Sequence, residues 1–84
     1  MKLEYFTAPW CQPCKTFGPT LENVAREKEI YLDKVNIQDE PERLPTDVLG
    51  IPTVILYVND KEAARFTGAK SAFDLTQWLF EAGV

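Results

Sequence analysis

Along this chain the spacing of apolar positions alternates between strand-like and helix-like periods. Lys2-Leu3-Glu4-Tyr5-Phe6-Thr7 is a short β-prone run. Phe17, Leu21 and Val24 then recur at helical spacing, so a helix is expected from near Cys11 to about Lys28. Pro19 falls inside it. Its missing N–H leaves the Lys15 carbonyl unpaired, and a bend is expected there. Glu22, Arg26 and Glu29 read as the solvated face of that helix. A second strand is expected from Tyr31 to Ile37, with Val35 and Ile37 pointing one way and Lys34 and Asn36 the other. The strand–helix–strand order implies a parallel pair with a right-handed crossover. Gln38-Asp39-Glu40-Pro41 reads as a helix start, and Pro45 keeps that helix short or irregular.

The second half reads as a hairpin followed by a helix. Thr53-Val54-Ile55-Leu56-Tyr57-Val58 is nearly all apolar, as a strand covered on both faces should be. Asn59-Asp60 is a turn signal. Ala63 to Thr67 returns as an edge strand, and Gly68 ends it. Ser71-x-x-Asp74 is a variant of the helix-start capping pattern. The last helix is expected from about Ala72 to Ala82. Leu75, Leu79 and Ala82 turn inward, and Asp74, Gln77 and Glu81 line the opposite face. Phe73, Trp78 and Phe80 widen the apolar arc and read as core. The resulting order is β-α-β-α-β-β-α.

Composition narrows the function. Eighty-four residues make one domain, 1–84, with a small core adequate for independent folding. No repeat, linker or low-complexity stretch interrupts it. The net charge of −4 argues against a nucleic-acid surface, which wants clustered Lys and Arg. No apolar run is long enough to span a membrane. Met1-Lys2-Leu3-Glu4 enters a strand without an apolar signal core, so a cytoplasmic protein is expected. The chain has two cysteines and no histidine. Two soft ligands are too few for a closed tetrahedral zinc site, so no metal is expected. The usual general base of nucleophilic catalysis is missing as well.

The chemistry therefore concentrates in Ala8-Pro9-Trp10-Cys11-Gln12-Pro13-Cys14-Lys15. A disulfide across two residues closes so short a loop that it is a weak cross-link in the chain-entropy picture. A lone Cys-x-x-Cys in a reducing cytosol points to redox or metal chemistry rather than scaffolding. The cysteines fall at a strand-to-helix junction, Cys11 at the helix entrance and Cys14 one turn in. The free N–H groups and partial positive charge of a helix start stabilise a thiolate at Cys11. Pro13 suits the first turn, where a proline sacrifices no helical hydrogen bond. Trp10 would shield the pair from water on one side.

Trp10-Cys11-Gln12-Pro13-Cys14-Lys15 resembles the W-C-G-P-C-K motif of the thioredoxin family. Pro19, five residues after Cys14, matches that family's helix-kinking proline. Lys34-Val35-Asn36-Ile37 looks like its second parallel strand, and Gly50-Ile51-Pro52-Thr53 resembles its cis-proline loop. The resemblance covers nearly the whole chain. It implies an α/β fold, a minimal thioredoxin fold without the N-terminal strand and helix, close in size to glutaredoxins and to the small redoxins of archaea and phages. A four-stranded mixed sheet in spatial order two-one-three-four, with helices on both faces, is expected.

The resemblance also implies roles. Cys11 would be the nucleophile and Cys14, more buried, the resolving thiol, in a thiol–disulfide oxidoreductase that reduces protein disulfides. No bound cofactor is implied. The Cys11–Cys14 disulfide would be recycled by an NADPH-dependent thioredoxin reductase, with glutathione as the alternative reductant if the chain works as a glutaredoxin. Ile51-Pro52 should be a cis peptide. Gly50, Ile51, Pro52, Thr53, Gly68 and Ala69, with Trp10, would dock the substrate strand. A monomer is expected, with disulfide-containing proteins as substrates.

Two positions depart from the family pattern. Gln12 replaces a glycine in the dipeptide that tunes the redox potential. Tyr5 replaces a buried aspartate that faces a lysine in the family, so Lys34 would lack its carboxylate partner. Two other readings are a thioredoxin-fold binding subunit that does not use its thiols, and a dimer bridging an iron–sulfur cluster through one cysteine of each chain.

Overall fold

The computed structural model describes residues 1–84. Its elements are β1 (Lys2–Thr7), α1 (Gln12–Glu27), β2 (Tyr31–Asn36), a 3-10 turn (Pro41–Arg43), β3 (Thr53–Val58), β4 (Lys61–Thr67) and α2 (Ala72–Glu81). The four strands form one sheet in the order β2-β1-β3-β4. β1 pairs in parallel with β2, Lys2 beside Tyr31 and Phe6 beside Val35. On its other edge β1 runs antiparallel to β3, with Phe6 opposite Thr53. β3 and β4 form an antiparallel hairpin with an irregularity between Leu56 and Tyr57. Its tight turn has Asn59 and Asp60 at φ 53° and 65°. Asn and Asp tolerate that left-handed region, which hairpin turns of this kind require.

Strand alternation sorts the core into two layers. Leu3 and Tyr5 of β1 and Val54 and Leu56 of β3 face the two helices. There they meet Phe17, Leu21, Val24 and Ala25 of α1 and Leu75 and Leu79 of α2. Phe6, Val35 and Ile55 face the other way, under Ile37, Leu44, Ile51 and Tyr57. Both α-helices therefore share one face. The opposite face, where a helix was expected, is covered by the 3-10 turn and its flanking loop. Pro41 and Pro45 bracket that segment and leave too few backbone donors for a longer helix.

The 3-10 turn is tied to the sheet by charge. Arg43 donates from Nη2 to Glu4 Oε2 at 3.1 Å and to Asp33 Oδ2 at 2.5 Å. Tyr57 Oη donates to Glu4 Oε1 at 3.1 Å. The Asp33 hydrogen bond is the main cause that raises the Arg43 pKa, with Glu4 adding to it.

α2 begins as its capping pattern predicts: the Asp74 N–H donates to Ser71 Oγ at 3.1 Å. Its aromatic residues do not all pack as expected. Trp78 lies against Phe66, with ring centroids 4.7 Å apart. Phe73 and Phe80, read as core, are instead 76 % and 73 % exposed. Leu75 and Leu79 alone fill the buried stripe, and a helix lying on a sheet has room for one such stripe. α1 runs unbroken through Pro19.

Candidate active site

β1 delivers the chain to the redox motif. After Thr7, the Cys11 N–H donates to Ala8 O at 3.1 Å, a turn that swings the chain into α1. Cys11 is the N-cap residue of α1, with extended backbone (φ −85°, ψ 105°) and no side-chain cap bond. Pro13 occupies the first turn, which holds no acidic side chain. A charge on Cys11 Sγ would thus meet the helix end without a competing carboxylate in that turn. Cys11 and Cys14 are joined by a disulfide, with Cα atoms 5.3 Å apart.

Burial of the pair differs from expectation. Cys14 is not the more buried cysteine, since both are 6 % exposed. The disulfide closes the two sulfurs against each other and hides Cys11 as much as its partner. Trp10 does not cover the pair as a lid. It is 63 % exposed, an aromatic plane standing out beside the motif. Gln12 also points to solvent.

The Gly50–Thr53 segment lies at the same end of the sheet, because the start of β3 pairs with the end of β1. Ile51-Pro52 is cis, as expected. Pro52 O accepts from the Gly68 N–H at 2.8 Å, and Gly68 has φ 100°, which a glycine adopts freely. Thr53 does not reach the surface as a docking residue. It is fully buried, donating from Oγ1 to Gly50 O at 2.6 Å and bonding Thr67 Oγ1 at 2.9 Å. Asp47, just before the loop, pairs with Arg65 of β4 at 3.3 Å. Leu49, which the periodicity did not single out, stands 94 % exposed beside Gly50. Trp10 and Leu49 thus flank the motif and the loop with free apolar surface. An exposed leucine breaks no pattern in a loop, so no sequence signal marks it.

On the helix-covered face a crevice of about 300 Å³ reaches Cys14. It is lined by Thr7, Ala8, Pro9, Cys14, Lys15, Lys34 and Asn36. Lys34 is not without a carboxylate: its Nζ lies 3.9 Å from Glu22 Oε2, and both side chains are about half exposed. Glu22 therefore belongs to this neighbourhood and not merely to a solvated helix face. Tyr5, paired with Lys34 across β1 and β2, is fully buried and edge-on to Phe17 at 5.8 Å. Its hydroxyl makes no well-formed hydrogen bond in the protein, although the Thr7 side chain lies near enough to influence it. Burial pushes the phenol above its ordinary value, Thr7 offsets part of this, and the Glu22 charge adds to it.

This arrangement supports thiol–disulfide exchange: a dithiol at a helix start, beside a loop whose backbone is braced by β4. Comparison with known proteins agrees. The thioredoxin family model matches residues 2–81. Thioredoxin of Buchnera aphidicola from Acyrthosiphon pisum is 35% identical over 79 residues, covering 90% of this chain and 73% of that protein. Thioredoxin of Chlamydia pneumoniae is 40% identical over 76 residues, covering 88% and 74%. Among solved structures, thioredoxin 1 of Thermosipho africanus superposes with a TM-score of 0.80 at 26% identity, each chain covered in full (100%). A malarial protein superposes at 0.83 with 30% identity, covering 98% of this chain and 96% of that one. No helix here is long and apolar enough to cross a membrane. Family members work with thioredoxin reductase and disulfide substrates, and the dithiol itself carries the electrons. The chain belongs to the thioredoxin family, and it is a thiol–disulfide oxidoreductase whose redox centre is the Cys11–Cys14 pair.

Proposed function

We propose that this chain, as a single monomeric domain in the cytoplasm, reduces disulfide bonds in other proteins and is itself reduced by thioredoxin reductase at the expense of NADPH. The observation that carries this reading is the position of Cys11 at the N-cap of α1, where the helix end favours its thiolate. Cys11 attacks one sulfur of the substrate disulfide, forms a mixed disulfide and expels the first substrate thiolate. Cys14 then attacks Cys11 Sγ. The Cys11–Cys14 bond forms, the mixed disulfide breaks, and the second substrate thiolate leaves. Two electrons pass from the dithiol to the substrate.

Substrate docking is assigned to Trp10, Leu49, Gly50, Ile51, Pro52, Gly68 and Ala69, with Thr53 bracing the loop from within. Gln12-Pro13 tunes the potential. Lys34, on the wall of the crevice beside Cys14, biases the proton balance of that thiol. A Cys-x-x-Cys pair with no other cysteine suits a reducing compartment.

Turnover with a disulfide protein such as insulin tests the reading, NADPH consumption being followed in two recycling systems. Activity is expected with thioredoxin reductase and is expected to vanish in Cys11→Ser. Turnover only with glutathione and glutathione reductase would replace the reading with a glutaredoxin.

A further inference from the structure

To attack Cys11, Cys14, a residue only 6 % exposed where it is paired with Cys11, must first lose its thiol proton. The crevice on its flank offers that proton a route to water. The titratable side chains around this route come from three elements. Tyr5 of β1 is held protonated by burial. Lys15 of α1 and Lys34 of β2 line the crevice as cations. The carboxylate in this group is Glu22 of α1, against Lys34 at 3.9 Å.

Helix geometry directs Glu22 towards Cys14. Cys14, Gly18 and Glu22 follow one another at four-residue steps and share one stripe of α1. Helical side chains lean towards the N-terminus, so Glu22 lies back over Gly18. Its Oε2 is 3.9 Å from the point a Cβ on Gly18 would occupy, and Tyr5 Oη is 3.6 Å from the same point. Because Gly18 has no side chain, the carboxylate faces an open floor one turn from Cys14. Cβ positions one turn apart are about 5–6 Å from each other, so a carboxylate lying over Gly18 neighbours the Cys14 side chain on the same stripe. Tyr5 Oη, buried and without a well-formed hydrogen bond despite the nearby Thr7 side chain, supplies a hydrogen-bonding group beside Gly18, and such a hydroxyl calls for water.

We infer that Glu22, laid back over Gly18, is the positioning carboxylate that accepts the Cys14 proton through water held by the Tyr5 hydroxyl. The inference rests on Cys14 being the resolving thiol. The proton passes from Cys14 Sγ to water and on to the Glu22 carboxylate. The electron pair left on Cys14 forms the bond to Cys11 Sγ as the bond from Cys11 to the substrate sulfur breaks. The substrate thiolate carries that electron pair away, and Glu22 returns its proton to solvent.

Rapid mixing of the reduced protein with dithiobis(nitrobenzoate) separates the two steps, because each releases one coloured nitrobenzoate thiolate. The first release reports attack by Cys11 and the second reports resolution by Cys14. In Glu22→Gln the second release is expected to slow about tenfold near neutral pH, less than the usual hundredfold or more of general acid–base catalysis since water intervenes. It should regain the parent rate at higher pH, where Cys14 ionises unaided, while the first release is unchanged. Glu22→Asp should fall between. Gly18→Ala, which places a methyl against both oxygens, should slow the second release alone. An unchanged second release in Glu22→Gln would overturn the proposal. A faster one would overturn it too, making Glu22 only a screen on the Lys34 charge, and equal slowing of both phases would reduce Glu22 to a structural role. Full second release in Cys14→Ser would instead remove the resolving role of Cys14 on which the proposal stands.

Discussion

Cys11 and Cys14 share one fractional exposure, so accessibility alone does not set their reactivity in this fold. The difference lies in the field each sulfur meets: Cys11 caps the helix, and Cys14 sits inside its first turn. In the reduced protein, iodoacetamide near neutral pH should therefore label Cys11 well before Cys14, as peptide mass mapping would show. Preferential labelling of Cys14 would reverse the assignment. Tyr5 offers a second test. The folded state keeps its phenol protonated to higher pH than the unfolded chain does. Its contribution to stability is whole below the ordinary phenol value, about 10, and is lost as pH rises through the folded-state value. Urea midpoints measured from neutral pH to about pH 11 should fall less steeply in Tyr5→Phe than in the parent. Tyr57, also raised by burial and by Glu4, keeps some of the slope. Parallel curves for the two proteins would refute this. At this scale the redox pair was legible from spacing. The Glu22–Lys34 pair was not, because periodicity assigns a residue to a helix face but does not say how far a long side chain folds back along it.

At the scale of elements, β1 and β3 match the boundaries read from the sequence, since alternation and turn residues mark both ends. α1 and α2 each end one residue earlier than expected, with Lys28 and Ala82 as C-caps. The helix expected after Gln38 is reduced to three residues of 3-10 turn, where two prolines override the start signal. α2 shows where pattern reading errs: three apolar residues widened the expected stripe, and the sheet accepts a narrower one. Leu79 and Phe80 are neighbours in the sequence with opposite fates, one fully buried and one 73 % exposed. Leu79→Ala should cost about 2–5 kcal/mol of stability. Phe80→Ala should stay within about 0.5 kcal/mol of the parent, as surface changes usually do. Chemical denaturation of the pair checks this, and similar losses at both positions would show that Phe80 is packed in solution.

For the whole molecule, the sheet has one thick cover and one thin one. The thin cover depends on Arg43, which spans Glu4 of β1 and Asp33 of β2 and is joined by Glu40 at 3.5 Å. Arg43→Met should lower stability by about 1.5–3 kcal/mol, the range for hydrogen bonds to charged groups, because two largely buried carboxylates lose their shared donor. A denaturation midpoint equal to the parent's would show the brace to be dispensable. That the fold could be read from the sequence at all follows from β1. Its short run fixes the register of both neighbours, while the charged brace, assembled from Glu4, Asp33 and Arg43, leaves no local pattern. The central place of β1 has a kinetic side. β2 does not touch β3, so the sheet is continuous only through β1, whose Lys2 pairs with Tyr31 on one edge and Tyr57 on the other. Among the strand pairings only the β3–β4 hairpin closes locally. Loop-closure entropy must be overcome before the distant pairings repay it. In pulsed hydrogen exchange the amides of β3 and β4 that bond each other should be protected first. Those of β2 must wait until the distant strand at the start of the chain has come to pair with it.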